Sequence, residues 1–325
     1  MKPKICSLTF IIVAIFSQFL FTGCGTKPEL SETYIPQTEV IEITEDTEII
    51  EAIYEETLCT LGQSVDEILS NYNFRGVALV IKDGETILRA AYSMACDIQG
   101  IENTVYLPFH LASISKHFTG AAILLLEQEG KLDTSYTLDK FFDGNEGLSR
   151  VTIAHLLAMR GGFLDYSNWM LSMLEDGEFE KVLSLSIEDI EAHIISTWRG
   201  TPQHIPFYCN SDYWLLGRII HQVTGMPYEE FISSRLFTPV GMYNSGFNGI
   251  HESVMPHNIP AIYFDGQNMM AASNWPFHFT YSTGGLISTI DDLNIWLEPI
   301  LAASFSLNIC LMTLCLTDTI MAGLL

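Results

Sequence analysis

A chain of 325 residues with a formal net charge of −24 would repel a phosphate backbone, which excludes nucleic acid as a partner. Its 48% hydrophobic content supplies ample material for one large core or two small ones. Seven cysteines without a Cys-x-x-Cys and nine histidines without His-Glu-x-x-His argue neither a disulfide framework nor a zinc site, so no metal and no cofactor is expected.

In chain order, the first predicted segment is an address. Lys2 and Lys4 form a basic region, Ile5–Phe21 is apolar, and Phe21-Thr22-Gly23-Cys24 closes it. That ending resembles a bacterial lipobox, which implies a leader over 1–23 and a lipid on Cys24. An ordinary signal peptide or a single-pass anchor are the alternatives, and all three place the body outside the cytoplasm. Residues 24–60 read as an acidic tether: Glu29, Glu32, Glu39, Glu42, Glu45, Asp46, Glu48, Glu51, Glu55 and Glu56 crowd a stretch where only Lys27 is basic.

The domain is expected from about Leu61 to residue 299. Gly76–Lys82 is a β-branched run, Asp83-Gly84 a hairpin turn, and Glu85–Tyr92 the returning strand. Val105–Leu111 is strand-like and passes into a helix that Gly130 ends. Val151–Met159 starts another helix behind Thr152. Asn210–Thr224 is strongly helical and closes at Gly225; Tyr228–Leu236 follows. Ser282–Ile287 is a glycine-broken turn, and Thr289–Ile300 is the last helix. No internal repeat is present.

Ser113-Ile114-Ser115-Lys116 sits at the strand-to-helix junction. A serine hydroxyl needs a base beside it, and three residues on is the same helical face. The helix N-terminus would lower the lysine pKa and steady an oxyanion. Taken alone, the spacing equally describes an N-cap serine with a solvated lysine.

The order of landmarks resembles the serine β-lactamase and penicillin-binding protein superfamily, in the branch of class C β-lactamases, D-alanyl-D-alanine carboxypeptidases and related esterases. The matching segments are the 76–87 hairpin, Phe109–Lys116, Gly130-Lys131-Leu132, Val151–Leu157, Tyr208-Cys209-Asn210-Ser211, and Ser282–Leu286 running on to Asp291-Asp292-Leu293. The Ser-x-x-Lys signature belongs to relatives in that superfamily. The resemblance implies an α/β (α+β) fold, an antiparallel sheet flanked by helices plus a helical subdomain. It also implies roles: Ser113 as nucleophile, Lys116 taking or relaying its proton, and Tyr208 as general base and acid with its pKa lowered by nearby cationic charge. Asn210 would donate a hydrogen bond that orients Lys116 and the substrate amide. From the residues alone, Tyr208 is equally a core aromatic and Asn210 a helix cap. Cys209 reads as a buried small hydrophobe.

Two departures stand out. Met159-Arg160-Gly161-Gly162 occupies the place of the family's His-Thr-Ser-Gly loop, and a structural role is expected for it. The family's third motif, Lys/His-x-Gly on a later strand, has no room after the Asp292 helix, so the C-terminal strands are expected to be missing. The opening hairpin would then stand alone and the chain as written would be impaired. Residues 300–325 are an anomalous tail, uncharged from Ile300 to Thr317. The tail reads as a membrane helix or as the product of a shifted reading frame, whose codons permit Tyr-x-Tyr-Gly-Trp; sequencing the gene decides between them. The expected function is an extracytoplasmic serine hydrolase. It would act through an acyl-enzyme on a small molecule or peptidoglycan peptide and be held to the membrane by its lipidated N-terminus. The alternatives are a non-catalytic penicillin-binding or sensing module, an inactive truncated product, or a solute-binding lipoprotein. The last should show alternating strand–helix units, which the chain lacks.

Overall fold

The computed structural model describes residues 10–16, 47–247, 262–264, 269–271 and 277–303, apart from Asp83, Ile98, Gln99 and Arg199. The tail from 304 onward lies outside the described residues, as do Cys24 and the greater part of the expected tether. The chain divides into two compact units, Met1–Val105 with Ile262–Ala271, and Tyr106–Ala261 with Ala272–Leu325.

The first unit begins with β1 (Phe10–Phe16) and α1 (Thr47–Asn71), followed by β2 (Gly76–Lys82) and β3 (Glu85–Tyr92). Two small strands, β4 (Met94–Cys96) and β5 (Ile101–Glu102), complete its opening part. The β2–β3 hairpin has the expected ends, with Gly84 at positive φ in the turn. Val77, Ala78, Leu79 and Val80 are all buried, so β2 is covered on both faces and takes a strand on each side.

The second neighbour of β2 corrects the expectation of a lone hairpin. β1 pairs antiparallel with β2 from Phe10 against Lys82 to Phe16 against Gly76, giving a three-stranded sheet. FIIVAIF is rich in β-branched and aromatic residues, a composition that suits a strand as well as the centre of a leader. The tether expectation is also shortened, because α1 begins at Thr47 and runs through the anticipated domain start at Leu61.

The second unit opens with β6 (Phe109–His110) and α2 (Ser115–Gln128). Then come α3 (Ile153–Leu157), α4 (Tyr166–Glu175), α5 (Phe179–Leu183), α6 (Ile187–Thr197), α7 (Asn210–Thr224), α8 (Tyr228–Ile232) and the single turn α9 (Thr238–Val240). β7 (Gly246–Phe247) precedes the hairpin β8 (Ile262–Phe264) and β9 (Met269–Ala271), which belongs to the first unit. α10 (Phe277–Gly284), β10 (Leu286–Ser288) and α11 (Ile290–Ala303) close the described chain. β10 is the centre of a short antiparallel sheet, with β6 on one side and β7 on the other. Among the described residues, no helix is long and apolar enough to cross a membrane.

Two buried helices fix the site. α2 presents Phe118, Ala122, Ile123 and Leu126 with no exposure at all, and ends where Gly130 adopts a left-handed φ of 69°. Lys131 N then donates to Leu126 O at 2.9 Å, which satisfies an orphan carbonyl of the last turn. α7 buries Tyr213, Trp214, Leu215, Leu216, Ile219 and Ile220 and is closed by Gly225 in the left-handed region.

α7 meets α10 at Gly217, where a methyl group would overlap Ser282 and lie 2.7 Å from Tyr281 Cε1. Gly217→Ala gains about 0.5–1 kcal/mol of helix propensity but forces two packed helices apart, which typically costs 1–3 kcal/mol or more. Overpacking wins here because both neighbours are buried. The expected result is a lower urea midpoint, and a variant of unchanged or higher midpoint would contradict this packing.

Candidate active site

β6 brings the chain to the centre of the second unit, where Leu111 N donates to Leu286 O at 2.8 Å. Ala112 then takes a left-handed φ of 45°, and Ala112–Ile114 form a 3-10 turn before α2 starts. Ser113 therefore lies in the turn, just ahead of the helix expected to carry it. Such a φ costs a non-glycine residue on the order of 1–3 kcal/mol, held here by the packing of α2 and of Gly284 at the end of α10. The three-residue step to Lys116 survives the change, and Lys116 Nζ lies 3.1 Å from Ser113 Oγ.

Lys116 is 1% exposed. Its Nζ donates to Thr283 O at 2.8 Å, and among the described residues no carboxylate forms an ion pair with it. Burial lowers the amine from 10.5 to about 7, partly opposed by the charge of Asp165. Desolvation thus does what the helix N-terminus was expected to do. At neutral pH a large share of Lys116 is free amine, able to accept the serine proton.

Tyr208 completes the cluster. Its hydroxyl is hydrogen-bonded to Ser113 Oγ, and its ring centroid lies 5.0 Å from Lys116 Nζ. The expected lowering of its pKa is overturned. Burial raises the phenol above its ordinary value, and the Ser113 hydrogen bond only partly offsets this. The charges of Asp165 and Cys209 act in the same direction as burial. A phenol raised in this way keeps its proton at neutral pH and can donate it.

Asn210 also departs from expectation. It is the first residue of α7, and both its backbone N and its Nδ2 donate to Asp165 Oδ2 at 2.9 Å each. Its amide nitrogen donates to Asp165 and, at 3.5 Å, to Ser167 Oγ, not to Lys116. Cys209, the residue before it, is buried as expected and its Sγ donates to Phe163 O at 3.5 Å.

Four residues escaped the sequence reading. Thr283 supplies the carbonyl that holds Lys116. Tyr166 braces that residue from α4, its hydroxyl donating to Phe279 O at 2.5 Å and lying 3.1 Å from Thr283 Oγ1. Asp165 caps α4, accepting from Ser167 N at 2.9 Å. An Asp before an apolar-periodic run is a readable cap signal, but nothing local ties it to Asn210. Asp212, fully buried on α7, accepts from Gly161 N at 2.9 Å, and burial raises its carboxyl to about 8. Trp198 Nε1 donates to Gly161 O at 2.9 Å and Phe207 N to Met159 O at 3.0 Å. The 159–162 loop is thereby tied both to α7 and to the segment that leads into Tyr208. Among the described residues no group of His, Cys, Asp or Glu is placed to hold a metal ion.

A serine, a lysine amine and a phenol in mutual contact, set on a mixed α/β frame, are the arrangement of the serine β-lactamase and penicillin-binding protein class. The Beta-lactamase family model matches residues 61–310, and the chain belongs to that family. It is 28% identical over 191 residues to the putative penicillin-binding protein PbpX of Bacillus subtilis, covering 59% of this chain and 46% of that protein. It is 25% identical over 234 residues to a putative D-alanyl-D-alanine carboxypeptidase of Salmonella typhimurium, covering 67% of this chain and 53% of that one. The chain spans about half the length of these two relatives. The crystal structure of FmtA from Staphylococcus aureus superposes with a TM-score of 0.63 at 17% identity, covering 74% of this chain and 64% of the other, which shows the shared fold.

Proposed function

We propose that the protein is an extracytoplasmic serine hydrolase that acts through an acyl-enzyme on Ser113. The observation that carries this is the joint contact of Ser113 Oγ with Lys116 Nζ and Tyr208 OH. Lys116, as the free amine, takes the hydroxyl proton while Ser113 Oγ adds to the substrate carbonyl. Tyr208 then gives its proton to the departing nitrogen or oxygen and is reprotonated from Lys116, so the acyl–oxygen bond forms as the acyl–leaving-group bond breaks. In deacylation Lys116, again the free amine, takes a proton from the attacking water and returns it to Ser113 Oγ as the acyl–oxygen bond breaks. Carbonyl substrates ending in D-alanine, β-lactams and small amides or esters all suit this chemistry, and the names of the relatives favour the first two.

The leader and lipid reading belongs to the same proposal. Processing before Cys24 would remove β1 from the sheet and hold the rest of the chain at the outer face of a membrane. Mass spectrometry of the N-terminus of membrane-extracted protein tests it; an unprocessed Met1 terminus in a soluble fraction would reject it.

A fluorescent penicillin and a chromogenic ester test the chemistry together. The expected result is covalent label on the wild-type chain, lost in Ser113→Ala, with ester turnover falling by about 10³-fold or more in the same variant. Persistent label without ester turnover would assign an acylating binder in place of a hydrolase. Label that survives Ser113→Ala would refute the nucleophile.

A further inference from the structure

Asp165 does more than a helix cap requires. Capping α4 occupies Oδ1, which accepts from Ser167 N at 2.9 Å and from Ser167 Oγ at 2.7 Å. The second oxygen, Oδ2, reaches across 45 residues of sequence to take both Asn210 N and Asn210 Nδ2. An ionised carboxylate only accepts, so the amide nitrogen of Asn210 must be the atom turned toward it. This leaves Asn210 Oδ1 as the part of the amide available elsewhere. It is an acceptor, suited to an ammonium or a substrate N–H.

We propose that Asp165 is the positioning residue for acyl transfer: Oδ2 locks the Tyr208–Asn210 segment and the orientation of the Asn210 amide, while the carboxylate charge acts on Lys116. The proposal rests on the reading of Ser113 as nucleophile and adds to it the device that sets the geometry and charge of its partners. The groups that act on Lys116 are Asp165 from the start of α4 and Cys209 from the start of α7, with Tyr208 alongside. On the same elements, burial keeps Tyr166 and Asp212 protonated at neutral pH, and on α2 itself it keeps His117 neutral. The charge of Asp165 is the larger of the two effects that oppose the desolvation of the amine.

Asp165→Asn separates this role from capping, because asparagine caps a helix about as well as aspartate. In the variant, acylation by fluorescent penicillin is expected to slow by about 10- to 100-fold. The acid limb of its pH profile should move to lower pH, since an amine that has lost a nearby anion deprotonates more readily. NMR titration of 13C-labelled lysine reads the Lys116 midpoint without needing any activity, and that midpoint is expected to fall. Asp165→Ser, which also preserves the cap, should behave alike, and both variants should melt close to the wild type. An unmoved Lys116 midpoint in a folded variant, or wild-type acylation with an unshifted acid limb, would overturn the proposal. Wild-type protein that takes no label at Ser113 counts instead against the acyl-enzyme reading, and the NMR midpoint still decides whether Asp165 acts on Lys116.

Discussion

Replacing Lys116 by methionine is expected to abolish acylation of Ser113 and, at pH 6, to make the fold more stable. The activity loss follows from removing the base that lies against the serine hydroxyl. The stability gain follows from linkage. Lys116 falls from 10.5 to about 7 on folding, which corresponds to on the order of 4–5 kcal/mol of unfavourable burial. Between those two values the unfolded chain holds the proton and the folded chain does not. Wild-type stability therefore rises with pH across that window, and the full penalty is present below about 7. Methionine fills a similar volume without a charge. Against this gain, Thr283 O loses its donor, which costs about 1–3 kcal/mol. The balance is a net stabilisation of about 1–4 kcal/mol at pH 6 that shrinks as pH rises toward 10. Urea denaturation of both proteins at pH 6 and pH 9.5 measures it. A variant weaker than wild type at pH 6, or a difference that ignores pH, would show that the buried amine is not strained.

Much of the frame was legible because its signals are local. Asp83-Gly84 between two β-branched runs gave the β2–β3 hairpin to the residue, and Gly225 gave the end of α7. The Ser113–Lys116 step was legible for the same reason, since a spacing of three survives in either a 3-10 turn or a helix. The pairing of Phe10–Phe16 with β2 was not. An apolar run of β-branched and aromatic residues fits a leader and a strand alike, and only the doubly buried β2 beside it provides a partner. The start of α1 was hidden differently: Ile50, Tyr54, Leu58 and Leu61 recur at helical spacing, but the surrounding acids read as a tether. The polar ties were illegible in principle. Asp165 to Asn210 and Asp212 to Gly161 join residues 45 and 51 apart, and no local rule selects those partners. The direction of the Tyr208 shift and the cause of the Lys116 shift depend on burial, which the motif spacing does not contain.

Tyr208→Phe is expected to cost far more on an amide than on an activated ester, and the contrast follows from the protonation state of the phenol. Burial raises Tyr208 above the ordinary phenol value, so it remains protonated through neutral pH. A phenolate base at this position would act on Ser113 whatever the leaving group, and its loss would slow every substrate equally. A neutral phenol instead acts where a proton must be delivered. An amine cannot depart without one, whereas a nitrophenolate can. General acid assistance is worth about 10²–10⁴-fold, so that much should be lost on an amide or β-lactam, against roughly tenfold or less on a nitrophenyl ester. The acid limb of the ester reaction, set by Lys116, should stay near pH 7 in both proteins. Removing the phenol also deprives Ser113 Oγ of one partner, but Lys116 still holds it at 3.1 Å and keeps the nucleophile in place. Rates for an amide and a nitrophenyl ester, measured from pH 5 to pH 10 on both proteins, decide the matter. Equal losses on the two substrates would return Tyr208 to the role of base and require a positive charge in the cluster strong enough to overcome its burial.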